Sequence, residues 1–343
     1  MPKKQKRRGQ IWIVAGVAAV LAGIVLALVG GAGFDAYRLL TRSAALDKPA
    51  LINVPRGANC ASVSQRLSDA GVFAAARARW YWRAYGRLSG ECSRIKSGHY
   101  RVKPEQTPRA VLAALAAGQT ARTQLTIVPG RRFQQLLHKI ERDPDIKHTL
   151  ADKSPKQVMA ALGHADRTPE GRFLPDTYRF PVGTTDRALL QRAYQAMNEF
   201  LDDVWPKRAD NAVVKTRYQA LILASIIEKE TGLAAERSRI AGVFSRRMRR
   251  QMRLQSDPTV IYGQKLFDQE LTRADLEQDT PFNTYARAGL PPTPIATPSR
   301  AAIRAALHPA PGDAMYFVAK GGGRHVFSKT LAGQRAAIRK YRK

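Results

Sequence analysis

Two carboxylic acids close a segment that is otherwise apolar: Leu221-Ile222-Leu223-Ala224-Ser225-Ile226-Ile227-Glu228-Lys229-Glu230-Thr231-Gly232. The run from Leu221 to Ile227 is apolar nearly all round, which predicts a helix buried inside its domain. Glu228 and Glu230 fall in its last turn, just before a glycine stop. The carboxyl end of a helix carries partial negative charge and disfavours nearby carboxylates. An acid there, beside apolar side chains, should therefore have a raised pKa. A carboxyl kept neutral near pH 7 is what protonation of a glycosidic oxygen requires.

Helical geometry separates the two acids. At 100° per residue they point about 200° apart, so they cannot face one cleft. Glu230 shares its face with Leu223, Ile226 and Ile227, whereas Glu228 lies with Leu221, Ala224 and Ser225. Glu230 is the better acid; the bland alternative is two surface acids at a fraying helix end.

Two later segments gather groups suited to sugars. Residues 254–263 hold Gln255, Ser256, Asp257, Thr259 and Tyr262, and residues 281–285 hold Asn283 and Tyr285. Amides, hydroxyls and acids bond sugar hydroxyls and acetamides, and flat aromatic rings receive pyranose faces. These residues, with Glu228 as a second acid, form the expected substrate-binding set. Helix geometry nevertheless turns Glu228 away from the cleft of Glu230. The alternative for both segments is a turn-rich connector stiffened by prolines. The six histidines show no metal-ligand spacing, and neither a phosphate loop nor a G-x-S-x-G elbow is present. No metal and no cofactor is expected.

The elements around these residues divide the 343-residue chain. Lys3, Lys4, Lys6, Arg7 and Arg8 precede a charge-free stretch over 11–34. As a helix it would span roughly 36 Å, enough for a ~30 Å hydrocarbon core. The basic flank places residues 1–10 in the cytoplasm and everything after Asp35 outside. Gly31-Ala32-Gly33 resembles a signal-peptide cleavage site, but the apolar run is longer than such peptides use; an uncleaved anchor is expected. Residues 35–49 read as a polar connector. Residues 50–128 alternate short strands and helices, predicting a small α+β unit. Strands are expected at 50–54, 97–102 and 124–128. The helices between them carry Val63 and Leu67, then Trp80, Tyr81, Trp82 and Tyr85, then 109–117. A helical linker over 129–170 leads to a mainly helical domain over 171–343. Its helices are expected at 186–204, 216–231 and 235–251, with a hairpin at 315–327 around Gly321-Gly322-Gly323 and a basic final helix.

The net charge of +30 points to anionic partners. A body outside the cytoplasm removes nucleic acid as a partner and leaves acidic lipid or carboxylates of a cell-wall polymer. Cys60 and Cys92, both beyond the anchor, would be free to pair in an oxidising compartment. Spacing does not decide whether they do.

With these residues in view, the chain resembles the endolytic murein transglycosylases, the YceG-like proteins. The resemblance rests on 224–231, the 254–263 block, Asn283-Thr284-Tyr285, Gly289-Leu290-Pro291-Pro292, and the blocks 173–178, 271–276 and 316–319. It implies a single-pass inner-membrane protein with a LysM-like periplasmic unit and a lysozyme-like catalytic domain. It also implies catalysis by the second acid of Glu228-Lys229-Glu230-Thr231, hence Glu230, peptidoglycan strands as substrate, and peptidoglycan synthases as partners. The competing expectation is a membrane-tethered glycan-binding scaffold without activity.

Overall fold

The structure, a computed structural model, describes residues 3–341, with side chains described from residue 16 to 341. The side chains of the basic cluster at 3–8 lie outside the described residues. The chain forms two compact units, one of residues 1–123 with 181–183 and the other of 124–180 with 184–343.

The first unit begins with α1 (Lys3–Thr41), whose segment Gly16–Thr41 is long and apolar enough to cross a membrane. The helix runs past the expected end of the anchor. Residues 35–41 are helical rather than a polar connector because Leu39 and Leu40 supply an apolar side that is buried. After it come β1 (Ala50–Val54), α2 (Cys60–Asp69), α3 (Ala76–Leu88), β2 (Gly98–Val102) and α4 (Pro108–Ala117). β1 and β2 pair antiparallel, with Ile52 opposite Tyr100 and Val54 opposite Gly98. Their period of two sends Ile52, Val54, Tyr100 and Val102 inward. Asn59 and Thr107 cap α2 and α4 by accepting from Ser62 N–H and Ala110 N–H. Gly118 ends α4 in the left-handed conformation that glycine adopts without penalty. The core joins these strands to Val63, Leu67, Leu112 and the fully buried Trp82, whose indole N–H donates to Pro108 O at 2.8 Å. Cys60 and Cys92 form a disulfide, with Cα atoms 5.3 Å apart.

The second unit takes in the carboxyl-terminal part of β3 (Arg122–Thr126), then α5 (Phe133–Glu141), β4 (Ile146–Lys147) and α6 (Pro155–Ala161). It continues through β5 (Thr177–Pro181), β6 (Thr184–Thr185), α7 (Asp186–Val204), α8 (Arg217–Glu230), α9 (Ala234–Arg249), α10 (Asp257–Gln264) and α11 (Arg273–Glu277). It ends with α12 (Arg300–Leu307), β7 (Tyr316–Gly321), β8 (Arg324–Ser328) and α13 (Leu331–Tyr341). The stretch read as a helical linker over 129–170 differs from that expectation. It holds two short helices broken by β4, and Phe133, Leu136, Ile140, Val158 and Met159 pack with Phe173, Leu190 and Tyr194 in a core. The remaining core is built around α8, with Ile240 and Phe244 of α9 and Ile303 and Leu307 of α12 packed on it. Residues 254–263 also depart from a connector. Pro258 stands in the first turn of α10, where its missing N–H costs nothing. β7 and β8 form the expected hairpin, Phe317 opposite Phe327 and Val318 opposite Val326.

Candidate active site

α8 is fixed before its acids are reached. The Thr216 hydroxyl accepts from Gln219 N–H at its start, and every residue from Ala220 to Ile227 is buried. The chain leaves the helix at Thr231, whose backbone is extended, so Glu230 is the last helical residue. A buried rod of this kind lets its final side chain emerge in one defined direction, half-buried, into a cavity of about 760 Å³. Gln255, Asp257 and Tyr285 line the same cavity, with the β7–β8 hairpin and α13 as its far wall.

The Ser256 hydroxyl, itself buried, donates to Glu230 Oε1. Burial is the main force on the Glu230 carboxyl, pushing its pKa up to about 7. The Ser256 hydrogen bond lowers it, the negative charge of Asp257 raises it, and Arg247 lowers it. Of the two causes expected for a raised pKa, the apolar surroundings lead, as desolvation. A carboxyl balanced at that value can give and take back a proton near neutral pH.

The loop that carries Ser256 is held from below. Gln255, at φ +52°, donates its N–H to Thr284 O at 3.0 Å, and Ser256 N–H donates to Thr284 Oγ1 at 3.0 Å. The Thr259 hydroxyl donates to Ser256 O at 2.7 Å and meets Thr284 Oγ1 at 2.9 Å. Asn283 donates to Leu276 O and Gln278 O and accepts from Tyr285 N–H. Thr259 and Asn283 are fully buried, so they shape the loop rather than face the cavity. The Tyr285 hydroxyl donates to Asp257 Oδ1, joining two cavity-lining residues. Tyr262 is not at the cavity: its hydroxyl donates to Glu170 Oε2 at 3.2 Å.

Glu228 is likewise elsewhere. Its Oε2 accepts from both the N–H, at 3.0 Å, and the hydroxyl of Ser299, the N-cap of α12. That bond ties the end of α8 to the start of α12. Of the sequence-derived residues, the fold gathers Glu230, Gln255, Ser256, Asp257 and Tyr285 at one place. Glu228, Thr259, Tyr262 and Asn283 support it from outside.

Two charged residues went unnoticed in the sequence. Arg247 is buried, lines the cavity, and donates to Met315 O at 2.7 Å and Leu254 O at 2.7 Å. A signal existed: Ile240, Val243, Phe244 and Arg247 follow the spacing of an apolar helix face, so this arginine was bound to point inward. Glu170 is buried and accepts from Phe133 N–H at 3.0 Å at the start of α5. Burial pushes its pKa up to about 7. No local pattern around Glu170 announces this.

A half-buried carboxyl at a helix end, with the Ser256 hydroxyl donating to it and a second carboxylate, Asp257, on the same lining, faces an open cleft. The sequence model of the YceG-like family matches residues 52–340, and the chain belongs to this family. It is 30% identical over 318 residues to the endolytic murein transglycosylase of Bacillus subtilis (strain 168), covering 84% of each chain. It is 27% identical over 337 residues to the protein of that name from Streptococcus pneumoniae serotype 2, covering 86% of this chain and 60% of that one. The crystal structure of a putative YceG-like protein from Listeria monocytogenes superposes with a TM-score of 0.53 at 26% identity, over 84% of this chain and 99% of that one.

Proposed function

We propose that this protein is an endolytic lytic transglycosylase of peptidoglycan, with Glu230 as its acid and base. The observation that carries the reading is the Glu230 carboxyl, bonded by the Ser256 hydroxyl and pushed by burial to a pKa of about 7, at a buried helix end that opens into a cleft of about 760 Å³. The kinship with murein transglycosylases supplies the substrate class. Ser256 donates to Oε1, so the acidic proton belongs on Oε2. That proton passes to the oxygen linking MurNAc to GlcNAc as the bond from C1 of MurNAc breaks. The C6 hydroxyl of the same MurNAc attacks the oxocarbenium-like centre and returns its proton to Glu230. The products are a free GlcNAc hydroxyl and a 1,6-anhydroMurNAc end, and no water is consumed. One acid suffices, unlike the paired carboxyls of hydrolases. The negative charge of Asp257 adds to burial in favouring the neutral form of Glu230 and is placed to stabilise developing positive charge.

The apolar part of α1 up to Phe34 serves as an uncleaved single-pass anchor in the inner membrane, with the chain from Asp35 onward on the periplasmic side beside the peptidoglycan synthases. The disulfide fits an oxidising compartment. Two helices between two antiparallel strands support a LysM-like, glycan-binding role for the first unit. Digestion of purified sacculi by the detergent-solubilised chain tests the chemistry: anhydro ends are expected, and reducing ends without them would refute lytic cleavage.

A further inference from the structure

α3 leaves an aromatic residue in the open without an apolar reason to be there. Trp82 faces the core and is fully buried, whereas Trp80, two positions earlier, is 57% exposed. Two arginines lie over the Trp80 ring, the Arg83 guanidinium 4.9 Å and that of Arg79 5.4 Å from its centroid. Arg79 also donates to Gln65. Between Ala76 and Leu88 stand Arg77, Arg79, Arg83 and Arg87, with no acidic residue.

The height of this cluster above a bilayer follows from one ion pair. Arg77, at the start of α3, donates to both carboxylate oxygens of Asp35 at 2.7 and 3.2 Å. Asp35 is the first charged residue after the apolar stretch, on the same continuous helix α1. The start of α3 is thus pinned where α1 leaves the hydrocarbon. Trp80 is three residues further on, roughly 4.5 Å of helix rise. The headgroup layer on each face of a membrane is about 5–7 Å thick. Phe34 and Tyr37, 68% and 66% exposed, stand at the same level on α1.

We infer that the amino-terminal end of α3 is a membrane-surface contact, with Trp80 seated among headgroups and Arg79 and Arg83 binding the phosphates of anionic phospholipid. Tryptophan prefers this boundary because its ring is apolar and its N–H is polar. Arg79 spends one N–H on Gln65 and the Nε of Arg83 is buried without a partner, so their other guanidinium N–H groups are the ones that would meet phosphate, whose oxygens match that fork. The contact would add a second point of attachment to the anchor and fix the first unit against the bilayer. The inference rests on the reading of α1 as a membrane span.

The full chain, reconstituted in vesicles of phosphatidylcholine or of phosphatidylcholine with phosphatidylglycerol, tests it. Emission from Trp80 is taken as the difference between the wild-type chain and Trp80→Phe. Lipids brominated near the top of the acyl chain should quench that emission in the anionic vesicles and less in the neutral ones. Arg79→Gln and Arg83→Gln should each lower the ratio of docked to undocked chain by about fivefold. Unquenched emission in both compositions refutes the contact, and equal quenching in both refutes recognition of anionic headgroups. An alkaline wash of the vesicles separates the two readings. Chain that stays with the lipid but is unquenched sinks only the docking of α3, while chain that washes off sinks the anchor and this inference together.

Discussion

Ser256→Ala removes a hydroxyl that donates to Glu230, and the consequence should be a displaced pH profile rather than simple loss. A hydrogen bond to a charged group contributes about 1.5–3 kcal/mol, and one pKa unit corresponds to about 1.4 kcal/mol. Glu230 is half-buried at an open cleft, so the lower end applies, and its pKa should climb about one unit. The sign follows from which form is stabilised. Ser256 favours the carboxylate, so its loss favours the neutral acid. Cleavage begins from the neutral acid, and the wild-type rate at limiting substrate should fall as pH rises through about 7. In the variant that fall should lie near pH 8, on the order of one unit higher. At pH 8 roughly a tenth of wild-type Glu230 would be protonated against about half in the variant, so the rate deficit of the variant should shrink with rising pH. Initial rates on uncross-linked glycan strands across this range supply the assay. An alkaline limb that stays in place, or moves down, would refute the assigned role of Ser256.

Other outcomes follow from the same structure. Glu228→Ala strips the acceptor from Ser299 N–H at the start of α12 and should cost about 1–3 kcal/mol in urea unfolding, with turnover per folded molecule near wild type. Glu170 has a folded pKa of about 7 against 4.5 unfolded. Below pH 4.5 it is neutral in both states, and above 7 the folded state alone bears the strain of the buried charge. Stability should therefore fall by about 3 kcal/mol as pH rises through that window. Glu170→Gln should flatten this dependence, as read by thermal melts at both ends. Replacing Cys60 and Cys92 by serine opens a loop of sequence separation 32 and should cost the first unit about 4 kcal/mol, measured by tryptophan fluorescence in urea.

Much of the fold was legible because its signals are local. A helix was expected over 186–204, and α7 occupies those residues. Thr107-Pro108 and Gly118 bounded α4 as capping chemistry requires. Glu230 was separable from Glu228 because rotation about a helix is fixed by the chain. What stayed hidden depends on residues far apart. Glu228 holds Ser299, 71 positions later, while Thr259 turns inward onto Thr284 and Asn283 onto the carbonyls of Leu276 and Gln278. Polar side chains that look made for a ligand can serve a buried loop equally well, and only the fold distinguishes them. Glu170, alone in its segment, becomes buried through contacts with α5 and α10 that no local pattern encodes.

Glu230→Gln decides the matter most directly. It keeps the size of the side chain and an acceptor for Ser256 while removing the acid. Mass spectrometry of muropeptides released from glycan strands should find 1,6-anhydroMurNAc ends with the wild-type chain and none with a folded Glu230→Gln chain. Anhydro ends at the wild-type rate from that variant would contradict Glu230 as the acid.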